Sequence, residues 1–463
     1  MIRRTFITTS AAGAAAAILS NQASNARMLG VTFEPDEELM GKGLSIRDGL
    51  KILEKQEKGN TRPVLRDEIL ENPGAVFIIN AGIKSERDGN GAWKQCNFQM
   101  QHLGRHVAGQ IFRKGYEQGG RTFIKPNLVR GLKKAGDPYI NGYVVHPYFI
   151  AGFADALRDI GNTAVATATR GTLHHEHLVQ SGVHDLFSEH DLPHIEAHVQ
   201  YFEDYHRSEL NWHENPEGLV MRRFPTYRPA YDRDTDFINI AHAHTHQLGF
   251  TTLTIKNLQG VMPRGYGHIC DDWVNLDRWR KKFMKNFNPE FRSAIERSYV
   301  KHAGMGYKYW DEGGYYRAYT SAGGYGVFLK NREAADQKIF WHEQWAQRMF
   351  DAVEVMPEPY VNIVEGVFGQ GDEGIHHSDF VTVGRNTVAV DSVTSWLMGH
   401  DPRELPYLRI AKERGLGEND IEKIPLFKLT ALGPVRVKDY RTLKRTPMGV
   451  YIYGLKENGL KFF

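Results

Sequence analysis

From Ala75 onward the chain alternates short apolar, β-rich runs with stretches of helical periodicity, and this alternation constrains the fold more than any other feature. AVFIIN (Ala75–Asn80) and RTFIKPN (Arg121–Asn127) read as buried strands. HPYFIAGFADALRDIG (His146–Gly161) keeps its apolar residues on one helical face and closes on glycine, and TAVATATRG (Thr163–Gly171) reads as the next strand. A strand opens again at Phe237. A helix follows over Trp341–Val353, then a strand running into a glycine-rich loop over Tyr360–Gly369, then a strand passing into a helix over Asn386–Gly399. Strands separated by helices imply an α/β fold, with a mostly parallel sheet and helices on both faces. The core is expected over residues 71–425, behind an irregular N-terminal lead at 27–70 and ahead of a C-terminal extension at 426–463. Two long insertions, about 174–230 and 262–338, are expected to lie over the crevice at the carboxyl ends of the strands.

Residues 1–26 have the layout of an export signal peptide. Arg3-Arg4 precede Phe6 and Ile7, the apolar run AAGAAAAIL follows, and Ser24-Asn25-Ala26 offers a small-residue cleavage site. The apolar run is too short for a membrane span, and no cysteine follows it to carry a lipid anchor. Paired arginines point to the twin-arginine export machinery as a partner and to a periplasmic or secreted location. Loss of Arg3 and Arg4 with the signal lowers the formal charge from +3 to +1, which gives no basis for binding nucleic acid or a membrane surface. Only Cys96 and Cys270 occur, too few for a self-contained iron–sulfur cluster, and their pairing is open. The 21 His, 21 Tyr and 8 Trp residues suit a protein that handles sugars or other polar ligands.

In a sheet of this kind the ligand crevice lies beyond the carboxyl ends of the strands. Lys125 and Asn127, Arg170, a histidine series, then Glu365 with Asp372 and Glu373, and finally Asp391 stand at those ends. The series is His242, His244 and His246; alternate residues of a strand share a face and lie roughly 7 Å apart. His244 and His246 with Glu365, Asp372 or Glu373 match the donors of a catalytic divalent metal, whose identity stays open. Lys125, Arg170 and Lys256 form a cationic wall for a carboxylate, sulfate or phosphate, and a desolvated lysine could act as base. Asn257 stands beside Lys256, while His174 and the insertion residue Trp273 are candidate substrate contacts. No serine nucleophile elbow or phosphate-binding P-loop occurs, and no G-x-G-x-x-G stands at a strand-to-helix turn.

KPN at 125–127, T-x-x-T-x-K-N-x-x-G at 251–260, EGVFGQGDEG at 365–374, VAVDSV at 388–393 and DPRELPYLRIAKERGLGENDI at 401–421 together resemble the family called domain of unknown function 362. The resemblance covers residues 75–425 apart from the two insertions. Relatives usually carry Lys-Thr-His where this chain has His244-Thr245-His246, and some hold ferredoxin-type cysteines that are absent here. The family name implies no reaction. These readings converge on an exported enzyme, metal-dependent or using His/Lys acid–base chemistry, of lyase, epimerase or hydrolase type. Its expected substrate is a polar, anionic small molecule or saccharide. The alternatives are a non-catalytic glycan-binding protein and an iron–sulfur-linked redox accessory.

Overall fold

A computed structural model describes residues 43–128, 132–169, 175–197, 205–246, 250–263, 266, 345–371 and 374–449. Its β-branched and aromatic runs form strands β1 (Thr61–Leu65), β2 (Val76–Asn80), β3 (Phe112–Gln118), β4 (Arg121–Pro126), β5 (Val165–Thr169) and β6 (His194–Glu196). They continue as β7 (Leu210–Glu214), β8 (Arg223–Tyr227), β9 (Thr235–His246), β10 (Phe250–Thr252), β11 (Val361–Gly371), β12 (Gly374–Gly384), β13 (Leu426–Thr430) and β14 (Gly433–Arg436). The main sheet has the order β14-β13-β2-β12-β11-β9-β4-β5-β6, with β10 folded back on β9. Along that path β12 and β14 alone run against the rest, so the sheet is mixed but mostly parallel.

The helices that matter here are α1 (Ile46–Gln56), α2 (Asn97–Ile111), α3 (Pro147–Asp159), α4 (Thr254–Asn257), α5 (Thr387–Leu397) and α6 (Pro406–Glu413). Helices α2 and α3 pack with Ile124, Ile238, Ile240, Val361 and Ile363 in one apolar cluster. The alternating strand residues Phe123 and Phe237 belong to a second cluster with α4, α6 and the helical residues 345–355. Ala241, Ala243 and Val364 join α5 in a third. Period-two alternation thus sends the two sets of side chains to opposite faces, each covered by helices. Helices α2 and α3 meet closely because both carry glycine at the crossing. A Cβ on Gly104 would stand 2.1 Å from Phe149 O, and one on Gly152 would stand 2.0 Å from Gln101 O.

After β4 the chain steps outward through β5 to β6, then returns to place β9 on the other side of β4. The connections from β4 and β9 therefore leave in opposite directions, and a crevice opens between them at the carboxyl ends. Among the described residues, no helix is long and apolar enough to cross a membrane.

Several elements differ from the sequence expectation. Asn386–Gly399 holds no strand: the Asn386 side chain accepts from Ala389 N at 2.9 Å and starts α5 at once. The glycine-rich stretch after Glu365 is not a loop but one arm of the β11–β12 hairpin. The lead contains α1, capped by Ser45, and β1. The C-terminal extension supplies β13 and β14, and β13 pairs in parallel with β2. Of the two expected insertions, the first carries β6 and the β7–β8 ribbon. The second lies almost wholly outside the described residues, as does the signal segment.

Candidate functional site

On the face that packs against α4 and α5, side-chain amides form a chain across the strands. Asn257 donates through Nδ2 to Lys125 O (3.0 Å), Ile240 O (3.2 Å) and Asn239 Oδ1 (2.8 Å). Asn239 donates onward to Asn362 Oδ1 (2.8 Å), and Asn362 to Arg385 O and Thr387 Oγ1. Lys125 stands in register with Asn239, is buried, and donates through Nζ to Asn257 Oδ1 (3.2 Å) and Pro126 O (2.8 Å). Gly260 leaves room for that ammonium, since a Cβ there would stand 2.7 Å from Lys125 Nζ. Asp391 pins the start of α4 by accepting from Thr254 N (2.8 Å), Ile255 N (3.1 Å) and the Thr254 hydroxyl. Burial pushes its carboxyl up to about 7 against the pull of those donors.

The opposite face carries a different set of groups. His242 stands in register with Glu365, three residues on from Asn239, so the pair projects away from Lys125. The His242 ring places Nδ1 3.1 Å from Glu365 Oε2 and Nε2 2.8 Å from Gly142 O. Both ring nitrogens face acceptors, which is the pattern of an imidazolium paired with a carboxylate. The pair is about 1% exposed on each side. Burial alone would raise the Glu365 carboxyl, but the His242 charge and hydrogen bond and the Val367 amide outweigh it and hold the group below its usual value. Strand β11 bulges here: Glu365 pairs with His242, whereas the next β9 partner, His244, pairs with Gln370. Such a bulge re-aims side chains beside a site.

His146 caps α3 next to this pair, and its backbone N–H lies 3.3 Å from Glu365 Oε2. Its Nε2 lies 3.1 Å from Gln95 Oε1. Gln95 donates through its own amide to Tyr139 O at 2.7 Å, so its oxygen faces His146 and the imidazole proton sits on Nε2. His146 Nδ1 is buried and has no hydrogen-bond partner. Burial brings this ring down to about 4, with the charge on His242 adding to that effect and Glu365 opposing it. The buried thiol of Cys96, free of any disulfide, is pushed up to about 12 by burial and by Glu365, which makes it a poor nucleophile.

The structure joins some of the residues read from sequence and separates others. Lys125 and Asn257 touch; Lys256 is half-buried on α4. Asn127 follows β4 with its N–H on Ile240 O, and its side-chain Oδ1 is buried without a partner. His244 is buried, its ring 6.0 Å from that of His242 and 6.3 Å from that of Tyr143, while His246 at the end of β9 is half-buried. Glu365 and the histidines lie on one face, Lys125 and Asn257 on the other. Arg170, His174, Trp273 and Asp372 lie outside the described residues. Among the described residues, no three His, Cys, Asp or Glu side chains converge as a metal site. Sequence reasoning passed over His146, Gln95 and Gly142. The available signal was His146-Pro147, a polar residue and then proline opening a helix directly after a strand-end loop.

A family model described as domain of unknown function (DUF362) matches residues 122–395, more than half of the chain. No curated protein and no solved structure matches it.

Proposed function

Since the chain belongs to the domain of unknown function 362 family, whose description names no reaction, we propose its activity from the residues themselves: an exported acid–base enzyme of lyase or epimerase type. Its substrate is a polar, anionic small molecule or saccharide. The observation that carries this reading is the buried His242–Glu365 pair, set in a strand bulge at the point where the β4 and β9 connections diverge. Burying a charged pair costs desolvation that an apolar packing would avoid, so its place at the crevice favours a chemical role. His242 would act as the acid that polarises a substrate carboxylate, with Glu365 holding it in its charged form, and His246, four residues on along the same strand face, would take the proton from the neighbouring carbon. Lys125, at the end of the adjacent strand, adds positive charge from the other side of the sheet. The Gly142 carbonyl and the Tyr143 ring cover His242 and His244, so substrate would enter by displacing residues 141–143.

A metal-assisted variant would need ligands beyond Glu365, whose oxygens already accept from His242, Val367 N and His146 N. Asp372 is the sequence candidate for that role. The test combines elemental analysis of the mature protein, a thermal-shift series with uronic acids, and the ultraviolet absorbance of an unsaturated uronate as the sign of elimination. Turnover lost in both His242→Gln and Glu365→Gln supports the reading. Saccharide binding without turnover favours a glycan-binding protein instead. For export, Arg3→Lys with Arg4→Lys should retain the protein in the cytoplasm if the twin-arginine route is used.

A further inference from the structure

The geometry points to His146 as a ligand-binding residue that accepts a hydrogen bond from a substrate hydroxyl through Nδ1. The inference rests on the acid–base reading of this site and adds the polarity of its innermost contact. Three observations carry it. Tyr139 O fixes the Gln95 amide, and Gln95 Oε1 then fixes the ring proton on Nε2, so the tautomer is set by a relay that ends on backbone. The remaining nitrogen is a bare lone pair, buried and unmatched in a residue only 8% exposed. Buried polar atoms in folded proteins are nearly always paired, so an unmatched acceptor fixed in one tautomer is suited to a donor from a ligand.

Burial is the main reason the ring stays neutral, and its position on α3 acts in the same sense. His146 is the N-cap of a helix of 13 residues and makes no side-chain bond to that helix's own amides. The positive end of the helix disfavours an imidazolium there. Among the titratable groups around the ring, the His242 imidazolium acts in the same sense and the Glu365 carboxylate against it. A neutral imidazole with its proton committed elsewhere can only accept from a ligand. Within the proposed class of anionic saccharides the donor is a sugar hydroxyl, whereas a substrate carboxylate would meet lone pair against lone pair and is directed to His242 instead. Gln95 is a positioning residue, acting through the ring it orients.

The test uses the mature full-length protein with D-glucuronate, D-galacturonate and their singly deoxygenated forms as probes, read by calorimetry. In the unliganded wild type, long-range proton–nitrogen spectra should show His146 protonated on Nε2 alone between pH 5 and 8, the signal being assigned by its loss in His146→Gln. One deoxy form should bind about tenfold more weakly than its parent to wild type, and this difference should vanish in His146→Gln. Gln95→Leu should mix the two tautomers and weaken the parent probe without altering the fold seen by circular dichroism. A ring protonated on Nδ1, or a deoxy penalty that persists in His146→Gln, overturns the inference. If the uronates bind in a manner that requires His242 and Glu365 but is indifferent to His146, the acid–base reading stands and this assignment alone falls. If neither uronate binds wild type, both fall together.

Discussion

The two faces of the sheet at the β4–β9 crevice are both polar, yet they are built on opposite principles. On the α4–α5 face the polar groups are closed on one another: Lys125, Asn257, Asn239, Asn362 and Thr387 form a continuous run of donors and acceptors, and Asp391 satisfies the start of α4. On the α2–α3 face a charged pair is buried beside an imidazole nitrogen that nothing satisfies. A saturated network makes strands and turns rigid, and an unsaturated one is poised for a ligand. Much of what the family motifs specify goes to the first face. Thr254, Asn257 and Gly260 of the 251–260 run, together with Asp391 of VAVDSV, hold a turn in place, and Gly260 makes space for Lys125.

The comparison breaks most readily at Glu365. Replacing it with Gln leaves His242 facing a neutral amide in a buried setting, and the expected loss is about 4 kcal/mol by urea denaturation. Pairing it with His242→Gln should recover a large part of that loss, whereas additive losses would show that the two do not act as a pair.

A second measurement sharpens the difference through pH. The His146 ring lies at about 4 in the fold against 6.5 for an ordinary histidine. A group depressed in this way contributes stability that is present above the unfolded value and lost as pH falls through the folded one. Unfolding free energy should therefore drop by about 3 kcal/mol between roughly pH 6.5 and 4 on this account, with His213, also brought down to about 4 by burial, acting in the same direction. In His146→Gln the acid limb should flatten; an unchanged limb would show that the ring is not held neutral.

On the closed face, Asp391→Ala strands two backbone donors and one hydroxyl, with an expected cost of about 2 kcal/mol. Uronate affinity should stay within a factor of about two, because the change lies on the saturated side. A large loss of affinity would dissolve the distinction between the faces. The smallest effect is expected for Gly260→Ala, where a methyl group must displace the Lys125 ammonium, at about 1 kcal/mol. Thermal unfolding would register it as a modest fall in Tm.

Legibility in the sequence followed the range of the forces involved. The strands at Ala75–Asn80, Arg121–Asn127 and Phe237, and the helix after His146, were readable because apolar periodicity is local. The family resemblance was readable from ordered motifs, and the family match over 122–395 agrees with it. The β11–β12 hairpin was hidden by glycines that mimic a loop, and β13 was hidden because its partner, β2, lies hundreds of residues earlier.

The sequence by itself determined that the sheet would be mostly parallel, since period-two and helical patterns need only near neighbours to be expressed. It also offered a set of polar side chains as a site, of which Asp391, expected at a strand end, lies inside α5. Which of those side chains meet was decided by the tertiary structure alone. Strand register sent Lys125 and Glu365 to opposite faces, and the loop ending at His146 returned across the strand ends to meet Glu365. Pairing register and hydrogen-bond saturation are properties of contacts between distant segments, and no local pattern of residues encodes them.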